Sequence, residues 1–474
     1  MKKKQWVMAL GLLIFSIVLS SCQTQIVETS STGELAQTLK AQTNVPPATL
    51  IPETETLTPE SARFTIEVPA DLQAPIADLY EIYFPDEIPA FVDENGDLLV
   101  RTAEAPDEGR TSHQATFLPQ KVMIPQGESD DIQNFINFSI SVEGQKVLIE
   151  KGHLPASISL TDQAGNTVEL TQPIENVIST YGPATAFIYS VGAEGRLVSA
   201  SYLGARDPQG AAAMEKIDPR FPDIMGDAFF TQQDFNVEQA AALDPDLIVT
   251  SARTAWLETV EQLDLSVFLF DAETPERLKE AMRLTGQLFG PHPSAQAEVW
   301  VAYYDSVFNK VREATASLDE TDRPKVLFTG TEPTRIASGE MYQTDIIQAA
   351  GGVSVSVDLT GYWNDVNLEQ ILIWDPDVII VPPYGGANVS AITESPEWQI
   401  LEAVQAGRVY QMPKLVVPWD TPAPDSVLGI VWLAQRLNPE LADLTCEKEA
   451  EYFYNTFYDY PITEDEIKSL CRFE

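Results

Sequence analysis

The chain has 474 residues, enough for several domains that each bury a sizeable core. Its 71 acidic and 29 basic residues leave a formal net charge of −42, which argues against nucleic acid, whose phosphates need a basic surface. Such acidity favours solubility and cationic partners without naming a ligand, and a local basic pocket survives because screening limits distant charges to about 10 Å.

Residues 1–22 read as a targeting segment, with Lys2 to Lys4 as the basic start and Val7 to Leu19 as the apolar stretch. Leu19-Ser20-Ser21-Cys22 resembles a bacterial lipobox, which implies a lipidated Cys22 and a protein anchored on the extracytoplasmic side of the cell membrane. The alternative, an uncleaved membrane anchor, leaves the protein in the same compartment. No later stretch is long and apolar enough to span a bilayer. Residues 23–62 are rich in Thr, Ser, Gln, Pro and Glu and lack apolar periodicity. They read as a disordered tether with a reach of roughly 30–40 Å.

Residues 63–172 read as a small α/β accessory domain. Phe64–Val68 and Leu98–Arg101 have strand character, and Asn95-Gly96 is a turn signal. Ser141-Val-Glu-Gly-Gln145, followed by Gly152-His-Leu-Pro155, resembles the closing segment of phosphate- and molybdate-type binding proteins, where one helix runs through the first motif. The region is under half the length of such a protein and lacks a Ser/Thr-Gly anion loop. It is either a reduced lobe or a plain accessory domain, and no site residue is assigned to it.

A repeat organises the remainder. Asn236 opens N-V-E-Q-A-A-A-L-D-P-D-L-I-V, and Asn367 opens N-L-E-Q-I-L-I-W-D-P-D-V-I-I-V, with Asn, Glu, Gln and Asp-Pro-Asp at the same internal spacing. Each copy reads as a capped short helix, a tight turn and a buried parallel strand. Between the copies, Val299, Tyr303, Val307, Val311, Ala314 and Leu318 recur at helical spacing, widened by Trp300, Tyr304 and Phe308. This predicts one helix over Ser294–Leu318, a rod of roughly 37 Å. The fold class is α/β: two similar parallel-sheet lobes joined by one long helix, preceded by the accessory domain. The expected divisions are an N-terminal lobe over 173–290, an interlobe helix over 291–322, a C-terminal lobe over 323–440 and a tail over 441–474.

Asn176 to Thr185, Gly192-Ala193-Glu-Gly-Arg196-Leu-Val198, the two N-x-E-Q copies and the closing Val417–Pro439 resemble class III substrate-binding proteins. These serve ABC importers of iron–siderophore complexes, haem and cobalamin. The resemblance runs from Asn176 into the tail. It implies a monomer without cofactor, an ABC permease and its ATPase as partners, and a metal-chelate small molecule as cargo. Tyr181-Gly182 replaces the family's small polar pair before Pro183, which places a phenol at the expected cleft mouth.

In open parallel sheets, ligands sit beyond the carboxyl ends of the strands. Strands at Val177–Thr180, Leu247–Thr250, Val326–Thr329 and Val378–Val381 direct attention to the residues that follow them and to nearby aromatic loops. The expected ligand set is Tyr181, Tyr202, Phe230, Arg253, Arg335, Tyr342, Trp363, Tyr384 and Trp419. Aromatic faces with a few cations suit a bulky planar or hydroxylated metal complex. Arg253 and Arg335, one per lobe, could grip carboxylates as bidentate forks or pair with neighbouring acids. Trp363 and Trp419 could equally be core residues, and Trp432, at helical spacing from Leu428, reads as core. Glu215 and Glu340 are the expected docking acids, one per lobe.

Cys446 and Cys471 read as a disulfide, with two unpaired thiols as the alternative. His113, His153 and His292 lack metal-ligand spacing, and His292 reads as a loop residue beside the hinge. No G-x-S-x-G elbow, Walker loop or G-x-G-x-x-G after a strand occurs, so no enzyme is expected. The expected function is capture of a siderophore-like iron complex for an ABC permease. Haem, cobalamin and molybdate are alternative cargoes, and a non-transport surface sensor or scaffold is the rival class.

Overall fold

The computed structural model describes residues 62–104, 114–201, 208–225, 230, 232–260, 265–316, 319–439 and 445–471. The leader with Cys22, residues 23–61 of the tether, His113 and Tyr202 lie outside the described residues.

The accessory domain comprises β1 (Thr65–Glu67), α1 (Gln73–Tyr83), β2 (Ala90–Val92), β3 (Leu98–Thr102), β4 (Ala115–Leu118), β5 (Lys121–Pro125), α2 (Asp130–Ile140) and α3 (Val142–Glu150). Its sheet has the order β2-β1-β3-β5-β4; β1 is parallel to both neighbours, and β5 is antiparallel to β3 and β4. Phe64, Tyr80, Phe84 and Phe135 fill its core with edge-on and tilted ring contacts. The helix expected to run through Ser141-Val-Glu-Gly-Gln145 is instead two helices. Ser141 is extended, its Oγ accepts the Gly144 N–H at 3.2 Å, and this cap starts α3. A Cβ on Gly144 would strike the Phe138 carbonyl, so the sharp break needs glycine there.

The hairpin β6 (Ser157–Thr161) and β7 (Thr167–Thr171) leads into the first lobe. That lobe holds β8 (Val177–Ser179), α4 (Gly182–Ser190), β9 (Leu197–Ser199), α5 (Pro208–Ile217), α6 (Phe221–Met225), α7 (Val237–Ala242), β10 (Leu247–Ser251), α8 (Leu257–Val260), β11 (Val267–Phe270) and α9 (Pro275–Phe289). Its all-parallel sheet has the order β11-β10-β8-β9. After α10 (Pro291–Thr315), the second lobe holds β12 (Lys325–Phe328), β13 (Arg335–Ala337), α11 (Tyr342–Ala349), β14 (Val353–Ser354), β15 (Trp363–Asp365), α12 (Leu368–Trp374) and β16 (Val378–Val381). It continues through α13 (Val389–Thr393), α14 (Glu402–Gln405), β17 (Val409–Gln411) and α15 (Ser426–Leu437). Its parallel sheet has the order β14-β12-β16-β17, and β13 pairs with β15 as a separate antiparallel ribbon. Counted within its own lobe, each four-stranded sheet has the order second, first, third, fourth.

The sequence repeat has a physical account. Asn236 caps α7 by accepting the Gln239 N–H at 3.2 Å, and Asn367 caps α12 by accepting that of Gln370 at 2.8 Å. The first aspartate of each Asp-Pro-Asp, Asp244 or Asp375, takes the left-handed region at φ 46° or 48° and turns the chain. The second clamps the start of its lobe's first strand: Asp246 accepts the Asn176 N–H at 2.9 Å, and Asp377 that of Lys325 at 2.7 Å.

Helix α10 buries Trp300, Tyr303, Tyr304, Val307 and Val311, five members of the predicted stripe. It begins at Pro291 rather than Ser294, because a proline in the first turn gives up no helical hydrogen bond. His292 is therefore helical, not a loop residue, and its Nδ1 accepts the Thr116 N–H of β4 at 3.4 Å. The tail forms α16 (Cys446–Phe457) and α17 (Glu464–Cys471), joined by a Cys446–Cys471 disulfide. Among the described residues, no helix is long and apolar enough to cross a membrane.

Candidate functional site

A cleft of about 1830 Å³ opens between the two lobes where their parallel strands end. The first lobe contributes Tyr181 after β8, Gly182 and Pro183 at the start of α4, and Phe230. The second contributes Pro383 and Tyr384 after β16, and Tyr410 to Lys414 along and after β17. Trp432 and Arg436 of α15 and Lys468 of the tail helix α17 complete the wall.

The polar groups of this wall are held in specific states. The Tyr384 hydroxyl donates to Asp420 Oδ2 at 2.6 Å. Asp420 is fully buried and its Oδ1 has no hydrogen-bond partner; burial pushes its carboxyl up to about 6. Burial raises the Tyr181 phenol, so that it stays a neutral hydrogen-bonding group. The Arg436 guanidinium lies 4.8 Å from the Trp432 ring centroid and 5.2 Å from that of Tyr410, and burial lowers its pKa. Lys414, Arg436 and Lys468 bring three cations to the cleft, whose lining also carries Glu215 and Asp465, and Lys468 is paired with Glu464.

The expected ligand residues divide into several groups. Tyr181, Tyr384 and Phe230 line the cleft, although Phe230 is otherwise packed against Phe235 with centroids 5.2 Å apart. Tyr342 and Trp419 are corrections: both are 0% exposed. The Tyr342 hydroxyl lies 3.1 Å from that of Tyr304 and 2.7 Å from Ser426 Oγ, locking α11 onto α10 and α15. Trp419 Nε1 donates to the Tyr454 hydroxyl at 3.1 Å, so this indole anchors α16.

Neither arginine lines the cleft as an open fork. Arg253 is held by Asp271 at 3.3 Å and Glu273 at 2.6 Å, and its guanidinium lies 4.3 Å from the centroid of Tyr362 in the other lobe. It is a contact between lobes. Arg335 faces Asp365 at 3.5 Å across the β13–β15 ribbon. Trp363 is half-buried on that ribbon over Gly330, where a Cβ would meet its ring. Glu215 is exposed on the cleft rim, and Glu340 accepts the Gly361 N–H at 2.8 Å.

Sequence reasoning missed Lys414, Tyr410, Arg436 and Lys468, and it read Trp432 as core only. Trp432 is 3% exposed yet borders the cleft, and its Nε1 has no hydrogen-bond partner. The usable signal was the run Val409-Tyr410-Gln411 before Met412-Pro413-Lys414, a short strand with a cation beyond its end.

A family model described as periplasmic binding protein matches residues 178–415, half of the chain. The molybdate-binding protein MolA of Haemophilus influenzae is 24% identical over 247 residues, covering 47% of this chain and 70% of that protein. Its molybdate-bound structure has a TM-score of 0.58 at 18% identity, over 65% of this chain and 99% of that one. A vitamin B12-binding protein of Yersinia pestis is 27% identical over 220 residues, 44% of this chain and 70% of that protein. A periplasmic solute binding protein of Veillonella parvula has a TM-score of 0.56 at 24% identity, over 66% of this chain and 97% of its own. The structural likenesses show a shared fold of two lobes around a cleft.

Proposed function

Because the chain belongs to the periplasmic binding protein family, we propose that it captures a bulky anionic metal chelate of the ferric-siderophore type and delivers it to an ABC permease with its ATPase. The family and the relatives are solute-binding proteins, so the chain is an extracytoplasmic substrate-binding protein and not an enzyme. The cargo, the permease and lipidation at Cys22 are the proposed part.

One observation carries the cargo reading: the 1830 Å³ interlobe cleft joins tyrosines from both lobes to Lys414, Arg436 and Lys468. The cleft volume exceeds the roughly 300–1,000 Å³ of drug-sized ligand pockets, so the open cleft has room for a bulky chelate. Aromatic faces suit the planar arms of a chelate, and Lys414 and Arg436 offer positive charge to its anionic groups. Among the described residues, no three His, Cys, Asp or Glu side chains gather as metal ligands, so a metal held here would be recognised through its chelator. Tyr181, Tyr384, Lys414 and Lys468 are the proposed contacts.

Trp432 borders the cleft and reports on it. Titration of intrinsic fluorescence with ferric catecholate and hydroxamate chelates, haem, cyanocobalamin and molybdate should give saturable quenching by a ferric chelate. Lys414→Glu with Lys468→Glu should weaken that binding at least tenfold, about 1.4 kcal/mol. Saturation by cobalamin, haem or molybdate alone would replace the siderophore reading within the same role. Silence with all of them would favour a sensor or scaffold.

A further inference from the structure

We infer that Arg253 of the first lobe and Tyr362 of the second form a latch beside the cleft, which biases the lobes toward the arrangement seen here and parts when they separate. The inference rests on the reading of that cleft as the capture site, but its test needs no cargo. The Arg253 guanidinium carbon lies 4.3 Å from the Tyr362 ring centroid. Arg253 follows β10 and Tyr362 directly precedes β15, so the contact bridges the lobes. It adjoins the cleft: burial raises the Tyr181 phenol most, and Glu273, Arg253 and Asp271 are the charges that act on it.

Each half is fixed to its own lobe. Arg253 Nη1 meets Asp271 Oδ1 at 3.3 Å, Nη2 meets Glu273 Oε1 at 2.6 Å, and the Arg253 N–H donates to Ser251 Oγ at 3.2 Å. A guanidinium carries its N–H groups in its plane, so the two acids take its edge and leave a face for the ring. Asp271 also lies 3.3 Å from Arg277, so two arginines and two carboxylates balance in one cluster. In the second lobe, the Gly361 N–H donates to Glu340 Oε2 at 2.8 Å, and Ser338 Oγ donates to the Gly361 carbonyl. Asn364 Nδ2 donates to the Tyr362 carbonyl at 2.9 Å, which holds the backbone under the ring.

With both ends anchored, the contact between ring and guanidinium is the part that breaks when the lobes separate. Tyr362 is 43% exposed, and a cation–π pair at such a half-wet seam shifts an equilibrium by about two- to fivefold. That biases two arrangements without locking them, so a cargo with a modest preference for either one overrides it. The competing holder of the lobes is on the tail side, where Lys216 of the first lobe reaches Tyr460.

Double electron–electron resonance on the cargo-free full chain tests the latch. Nitroxides go on Glu238→Cys and Glu369→Cys, the exposed, equivalent glutamates of α7 and α12, and Cys22→Ser leaves no other free thiol. Arg253→Ala and Tyr362→Leu should each raise the share of separated lobes over the parent by about two- to fivefold. Tyr362→Phe keeps the ring and should keep the parent distribution. Joining Arg253→Ala to Tyr362→Leu should add nothing to either alone, because one contact is lost in all three. Circular dichroism and melting identify which variants are folded, and if Arg253→Ala misfolds, the two Tyr362 variants decide. A parent distribution in folded Tyr362→Leu overturns the latch and leaves the lobes to α10 and the Lys216 contact. Equal shifts in the Leu and Phe variants, or additive shifts in the double variant, overturn it as well. Silence in the chelate titration would sink the cargo reading and leave these outcomes unchanged.

Discussion

Asp425 is fully buried and accepts hydrogen bonds from the Tyr454 and Tyr458 phenols at 3.1 and 2.6 Å. Burial nevertheless pushes its carboxyl up to about 7, against a carboxylate value near 4 in the unfolded chain. Between those values the folded protein holds a proton that the unfolded chain has released. The associated stabilisation is complete below about pH 4 and is lost as pH rises through 7. Urea denaturation should therefore show the wild type losing stability relative to Asp425→Asn between pH 4 and about 7.5, by a few kcal/mol at most. Parallel curves for the two proteins across that window would remove Asp425 as the source. Asp420 and Asp345, each pushed up to about 6 by burial, act in the same direction and persist in the variant.

At the scale of elements, the tail is part of the binding wall. Lys468, Ser469 and Leu470 of α17 line the cleft, and α17 is joined to α16 by the Cys446–Cys471 disulfide. Helix α16 is anchored in turn through Tyr303, which donates to Glu449 at 2.8 Å, and through Tyr454. The first lobe also reaches the tail, where Lys216 Nζ donates to the Tyr460 hydroxyl at 3.3 Å. Cys446→Ser with Cys471→Ser should destabilise the tail by about 3–4 kcal/mol, the chain-entropy value for a loop with a sequence separation of 25 residues. Hydrogen exchange over Glu464–Cys471 should accelerate while α10 stays protected, and ferric-chelate affinity should fall several-fold. Unchanged exchange there would show that packing alone holds α17.

For the whole molecule, function rests on two lobes that share a sheet order and meet across one cleft. Arg253 over Tyr362 is a contact between them, and its acid partners Asp271 and Glu273 belong to the first lobe. Docking to a permease would be read at the outer surfaces. Glu215 sits on the cleft rim, so reversing its charge would perturb cargo as well as docking. Glu340 is the cleaner probe, because it accepts the Gly361 N–H and lies outside the cleft lining. Glu340→Lys should abolish uptake while leaving chelate affinity within a few-fold, since rim charges act mainly on association. Glu340→Gln, which keeps an acceptor for Gly361, should give an intermediate loss. Normal uptake by the Lys variant would take Glu340 out of the docking role.

The repeated Asn and Asp-Pro-Asp, the four expected strands, of which β8 and β16 lead into the cleft, and the stripe of α10 were legible in the chain itself. Caps, left-handed turns and helical spacing are local: Asn236 needs only Gln239, and Asp244 needs only its own backbone. The α/β class and the two-lobed plan follow from those signals. The cleft wall was decided by tertiary packing. Tyr181 and Tyr384 reach the cleft, whereas Tyr342 and Trp419, placed in the same expected ligand set, are enclosed by α10, α15 and α16. Lys414, Arg436 and Lys468 lie on three separate segments and share a site only once the lobes and tail are assembled. Burial and proximity are sums over distant neighbours, and no local spacing encodes them.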